Sequence, residues 1–204
     1  MAQALGRLLA DLKLVAKYHT LDFYFMDLSS LLAAGPVAPP SATFREVQSD
    51  EWEKLNCAEG LLPPEEIREQ FARGSRLFVV LEAGTVIAMN WTSEKFADLK
   101  HINRPRVTFP KGTIYSYGAM VSPAYRKRGI GSFMKQSLLR ILHSEGYRLF
   151  FAAVFLKKVA PHRWHQANGF KRWGRVTYID LRVTEFWWTR LTKEGKQYPE
   201  LFYA

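Results

Sequence analysis

Six consecutive residues carry the clearest chemistry in this chain: Arg126-Lys127-Arg128-Gly129-Ile130-Gly131. Glycine lets a backbone approach a ligand closely and take up conformations other residues avoid. Where such a loop runs into a helix, the first N–H groups of that helix have no intrahelical partner and carry partial positive charge. A phosphate fits there, and three cations in front of it add Coulomb attraction. The pattern predicts a diphosphate cradle. It is neither of the two commonest ones. Gly-x-x-x-x-Gly-Lys-Ser/Thr does not occur, and Gly-x-Gly-x-x-Gly would need a glycine where Met134 stands.

The flanking segments have the right character to hold such a loop. Thr113 to Val121 is rich in aromatic and β-branched residues and reads as a strand, ended by Pro123. Ile130, Phe133, Met134, Leu138, Ile141 and Leu142 then recur at helical spacing, and Gly146 supplies a stop.

With its strand and helix, the run Val121-Ser-Pro-Ala-Tyr-Arg126-Lys-Arg-Gly129-Ile-Gly131 resembles motif A of the GCN5-related N-acetyltransferases, the GNAT family. That motif is Arg/Gln-x-x-Gly-x-Gly/Ala after a strand ending in a Val-x-Pro turn, and it holds the pyrophosphate of acetyl-CoA.

Composition fits such a domain. At 204 residues the chain suits one domain with an extension. No apolar run approaches the roughly 18 residues of a membrane span. Asp11 and Lys13 interrupt the apolar part of the N-terminus, which argues against a secretion signal. Cys57 is the single cysteine, so no intrachain disulfide forms and a cytoplasmic location is expected. The net charge of +10 is unevenly placed. Between Ser122 and Arg175 stand twelve Lys or Arg and one acid, Glu145; the other residues carry 17 bases and 18 acids. The surplus therefore surrounds the cradle. Nucleic acid is the rival explanation of a basic patch, but no zinc spacing, Arg-rich tail or RNA-recognition signature accompanies it.

Residues 3–18 suit an amphipathic helix, with Leu5, Leu8, Leu9, Leu12, Val15 and Ala16 on one face. It would pack on the domain or on a second subunit. Residues 20–28 read as an extra strand, and residues 31–42, with three prolines and a glycine, as a linker. The boundary is drawn there: 1–40 an extension, 41–204 the core domain. The core begins with a strand over 43–47, a helix capped by Ser49 and a second helix opened by Pro63-Pro64 and ended by Gly74. A hairpin over 77–91 follows, then a long loop over 93–112. After the cradle helix come an apolar strand over 148–156, a short helix near Pro161 that ends at Gly169, and two closing strands over 174–191.

This is also the family's element order, and the resemblance covers roughly residues 43–191. It implies an α/β (α+β) three-layer fold, with a central mixed sheet of six to seven strands flanked by helices. The two central strands, here ending near Val121 and Phe155, would splay apart. The pantetheine arm would lie in that gap, pairing with the backbone of Met120 and Val121, while Arg126, Lys127, Arg128, Gly129, Ile130, Gly131 and Ser132 surround the diphosphate. A backbone N–H at the strand end would polarise the thioester carbonyl. The amine would attack directly, with proximity supplying much of the rate, and no metal is called for.

Two proton transfers remain. The family often places a Tyr four residues before a Gly-Phe pair to protonate the departing thiolate. Here the pair is Gly169-Phe170, and His165 holds that position. An imidazole of pKa near 6.5 could protonate a thiolate of pKa near 8.5. Alternatively His165 packs beside Trp164 or bonds to the cofactor. The family's Asn, seven residues earlier still, is replaced by Lys158, a solvated cation or a phosphate contact. For the general base the candidates are a water relay past Tyr117 and the loop acids Glu94 and Asp98. His101 on that loop reads as exposed, and His143, near the end of the cradle helix, as a partner of the helix C-terminus rather than of substrate. Trp91, Tyr115, Tyr117 and Phe96 suggest an aromatic-lined acceptor site, or simply core.

The leading expectation is an acetyl-CoA-dependent N-acetyltransferase acting on a small-molecule or peptide amine, with a homodimer one option. Alternatives are a longer-chain acyltransferase using acyl-CoA or acyl carrier protein, an acidic partner that would suit the basic face, and a non-catalytic module that binds CoA or a partner. Nucleic-acid binding ranks below these.

Overall fold

The computed structural model describes residues 17–30, 41–94, 96–97, 107–109, 111–181 and 184–198. Residues 3–16 of the expected amphipathic helix, 31–40 of the linker, Asp98 and His101 lie outside them. In chain order the strands are β1 (Lys17–Asp27), β2 (Ala42–Val47), β3 (Asn56–Cys57), β4 (Arg76–Glu82), β5 (Thr85–Ser93), β6 (Phe96–Ala97), β7 (Val107–Thr108), β8 (Thr113–Val121), β9 (Leu149–Phe155), β10 (Lys171–Asp180) and β11 (Glu185–Leu191). The helices are α1 (Pro64–Ala72), α2 (Ile130–Ser144) and α3 (Val159–Ala167). The fold is thus mixed α/β, with strands far outnumbering helices. Among the described residues no helix is long and apolar enough to cross a membrane.

The chain divides into two compact units, and β9 runs from one into the other. Residues 27–95 and 111–150 form the unit that contains the cradle. Its strands lie in the order β8-β5-β4-β2, each antiparallel to its neighbour, with β3 alongside β5. Alternation explains the layering, because successive side chains of a strand face opposite sides. Leu77, Val79, Met89 and Trp91 pack with Trp52 and Ile67, and so with α1. Val80 and Ala88 pack with Ile130, Phe133 and Met134 of α2. Proline at the first helical position and Glu65 and Glu66 in the first turn suit the start of α1.

The helix expected after Ser49 is a single 3-10 turn, Trp52–Lys54. Only Trp52 of this turn is buried, and the chain then leaves to pair Asn56 and Cys57 with Thr85 and Val86. One buried side chain cannot sustain a longer helix against that pairing. Part of the long loop forms the small β6–β7 ribbon.

The other unit comprises the described residues among 1–26, 96–110 and 151–204. Its strand order is β11-β10-β1-β9. The extra strand read over 20–28 is β1, which lies antiparallel to β10 from Lys17↔Asp180 to Phe25↔Lys171. On one face of this pair Asp22, almost fully buried, accepts two hydrogen bonds from Arg175 at 2.6 and 2.9 Å. On the other, Phe23 meets Trp173 edge-on.

Candidate functional site

The loop before α2 has the backbone of an anion cradle. Gly129 occupies the N-cap position with φ +77°, and Lys127 is also left-handed at φ +62°. Left-handed residues at a helix start turn consecutive N–H groups toward one concavity. The first intrahelical bond runs from Phe133 N–H to Gly129 O at 3.0 Å, so the N–H groups of Ile130 and Gly131 precede the ladder. A Cβ built on Gly129 would meet nothing within 4 Å. Space for a ligand atom is therefore present beside those N–H groups.

The three cations are not equivalent. Arg126 Nε–H donates to Val121 O at 3.1 Å, tying the loop to the end of β8. Arg128 pairs with Glu82 at 2.8 Å and lies over the Tyr125 ring. Hydrogen bonds from Ser41 and then Arg128 hold the Glu82 carboxyl below its usual range. Much of the Arg128 charge is thus already answered. Lys127 is exposed and enters none of the ion pairs formed among the described residues.

β8 changes character along its length. Thr113 to Ser116 are buried, whereas Gly118 and Ala119 are exposed and Met120 and Val121 half-buried. The change coincides with a bulge. Trp91 pairs with Tyr117 and Met89 with Met120, so Asn90 alone faces both Gly118 and Ala119. Gly118 has φ +59°, and a Cβ there would stand 3.0 Å from Trp91 Cδ1. The structure therefore brings Met120, Val121 and the Arg126–Ser132 loop together in one unit.

Tyr117 sits where the exposure begins. Its hydroxyl lies 2.7 Å from Gln70 Oε1 and 2.6 Å from Ser75 Oγ. Having one proton, it donates to the amide oxygen and accepts from the serine. Burial raises its pKa, partly offset by the bond from Ser75. Tyr115 stacks on it at 5.7 Å and is itself buried. Glu94 accepts a short hydrogen bond from Tyr147. His143 is exposed in the last turn of α2.

His165 belongs to the other unit, on α3, and is 5% exposed. Its Nδ1 lies 2.7 Å from Pro161 O, an acceptor, so Nδ1 carries a proton. The ring stacks on Tyr24 at 5.0 Å and meets Trp164 and Phe170 edge-on. The packing beside Trp164 anticipated as one alternative is therefore present. Beside it, Tyr24 Oη contacts His162 Nδ1 at 2.8 Å, and His162 Nε2 contacts Phe155 O at 3.1 Å. Lys158 is exposed at the N-cap of α3.

Sequence reasoning missed a buried trio. Lys135 of α2 contacts Asn90 of β5 and Ser116 of β8. Two signals pointed to it: a lysine at apolar-face spacing from Gly131 and Leu138, and a glycine inside a strand, which marks a bulge.

An antiparallel sheet packed between two helices, with a left-handed, glycine-containing loop between the end of β8 and the start of α2, frames the candidate site. A sequence profile of the Acetyltransferase (GNAT) family matches residues 42–170, and the chain belongs to that family. No curated protein matches the chain by sequence. Among solved structures, a GCN5-related N-acetyltransferase from Sphaerobacter thermophilus aligns with a TM-score of 0.57 at 16% identity, over 86% of this chain and 54% of that one. A tandem GNAT protein from the clavulanic acid biosynthesis pathway gives 0.56 at 14%, over 92% and 58%. A GCN5-related N-acetyltransferase from Kribbella flavida gives 0.52 at 14%, over 81% and 59%. At such identities the likeness is one of fold, and the chain spans under two thirds of each of these proteins.

Proposed function

We propose that this chain transfers an acetyl group from acetyl-CoA to the amine of a small molecule or peptide, without a covalent enzyme intermediate. One observation carries the reading. β8 is buried up to Ser116, becomes exposed at its bulge, and ends at the turn that leads into an open, left-handed cradle. A ligand with a diphosphate at one end and an amide-bearing arm at the other fits that sequence of features. Acetyl-CoA supplies a thioester already activated toward amines.

The backbone of Met120 and Val121 holds the arm, and the residues from Arg126 to Ser132 hold the diphosphate. Lys127 gives the unpaired charge, and Arg126 orients the loop through Val121 O. Tyr117, kept protonated by burial, orients the acceptor side rather than taking its proton. His165 is the proton donor to the thiolate: with Nδ1–H committed to Pro161, it takes up a proton from solvent at Nε2 and passes that proton on, returning to the neutral Nδ1–H form. The lone exposed Cys57 suits a reducing cytoplasm.

The test is thiol release from acetyl-CoA across a panel of polyamines, aminoglycosides and peptide N-termini, in a Cys57→Ser background that removes the protein's own thiol. An acetylated amine, formed more slowly by His165→Ala with KM for acetyl-CoA unchanged, supports the reading. Binding of acetyl-CoA without turnover of any amine would leave a CoA-binding module in its place.

A further inference from the structure

Lys135 is a lysine where the helix pattern calls for an apolar residue. It lies on α2 and is 7% exposed. Its Nζ lies 2.6 Å from Asn90 Oδ1 and 2.5 Å from Ser116 Oγ, above the Phe150 ring at 5.2 Å. Ser116 donates to Asn90 Oδ1 at 3.1 Å, and Asn90 Nδ2–H donates to Trp91 O at 2.8 Å. Asn90 and Ser116 are buried as well. Among the described residues no carboxylate pairs with Lys135, and burial alone pushes its ammonium down to about 7. An amine can donate once to each partner and close this ring; an ammonium would hold a third N–H with nowhere to go.

The positions of the partners matter more than their number. Asn90 is the single residue opposite the Gly118–Ala119 bulge, and Ser116 stands two residues before it on the bulged strand. A bulge sets which face each following residue takes, and a slip of one residue there would turn every following side chain and N–H to the other side. The third member lies on the helix whose first turn forms the cradle, about 7 to 8 Å along its axis from Ile130.

We propose that Lys135 is a positioning residue of the donor site: through Asn90 and Ser116 it locks the bulge to the cradle helix, and so sets Met120 and Val121 in register with the diphosphate loop. The assignment of those two backbones to the acyl donor rests on the function proposed above; the locking of the bulge does not.

The experiment separates the two. Amide hydrogen exchange is followed residue by residue in the ligand-free native chain and in Lys135→Met, with Ser116→Ala as a second variant should the first fold poorly. Exchange at residues 118 to 122 should quicken at least tenfold while α1 amides keep their rates. Unchanged exchange at 118 to 122 in a folded variant overturns the proposal. Calorimetry then compares CoA with 3′-phosphoadenosine 5′-diphosphate, which carries the phosphates but no pantetheine arm. Lys135→Met should weaken CoA at least tenfold and leave the nucleotide within twofold; Lys135→Gln, which can still donate to Asn90, should restore part of the loss. Equal weakening of both ligands would mean that the lysine merely supports the fold. If the native chain binds neither while exchange still quickens locally, the acyl-donor reading fails and the lock stands.

Discussion

Replacing Lys135 by methionine removes a titrating group from the core and should alter how stability depends on pH. In the unfolded chain the ammonium titrates at its usual 10.5, and in the fold at about 7. Between those values the unfolded chain holds the proton that the folded chain has released. Stability therefore rises with pH across that window, by about 1.4 kcal/mol per pH unit for one group. The cost of burying the charge is fully present below 7 and gone above 10.5, and amounts to about 5 kcal/mol over the whole interval. Methionine has a similar length and no charge, so Lys135→Met should lack this dependence. The assay is urea denaturation of both proteins at pH 7.5, 8.5 and 9.5, reading the difference in unfolding free energy. Taking the difference cancels groups common to both, including the raised phenols of Tyr24 and Tyr117. Native stability should gain on the variant by about 2.5 kcal/mol over those two units. A flat difference would show that Lys135 stays charged in the fold, and would refute the argument that it lies in a dry polar ring.

Gly118→Ala forces a left-handed residue and a methyl 3.0 Å from Trp91, and should cost about 1 to 2 kcal/mol in denaturant unfolding while weakening acetyl-CoA. Tyr117→Phe loses the bonds to Gln70 and Ser75; unfolding should show a loss of about 1 to 2 kcal/mol, with the Kd for acetyl-CoA within twofold of native. Glu82→Gln releases Arg128, so CoA should bind a fewfold more tightly at low salt and equally at high salt, with the denaturation midpoint little changed.

Local patterns made the centre of this fold readable. β8 and α2 follow from a β-branched run and a 3.6-residue apolar repeat, and the hairpin from Glu82-Ala83-Gly84. Contacts distant in sequence were hidden. What Lys135 bonds to is hidden because its partners lie 19 and 45 residues away on two strands. Arg128 counts as a free charge until Glu82, 46 residues earlier, is placed beside it. The environment of His165 depends on Tyr24, whose strand comes from the N-terminal extension. The helix expected after Ser49 failed for a related reason: acids and a cap signal a start, but only burial keeps a helix going, and Trp52 is alone.

The central claim is that the Gly129 loop holds the diphosphate of acetyl-CoA. Isothermal calorimetry of the native chain, Gly129→Ala and Gly129→Glu tests it most directly. Alanine brings the left-handed strain alone, whereas glutamate adds bulk and negative charge in the open space beside the helix start. Binding to the native chain should be micromolar, modestly weaker in Gly129→Ala and undetectable in a folded Gly129→Glu. Native-like binding to Gly129→Glu, or none to the folded native chain, would contradict it.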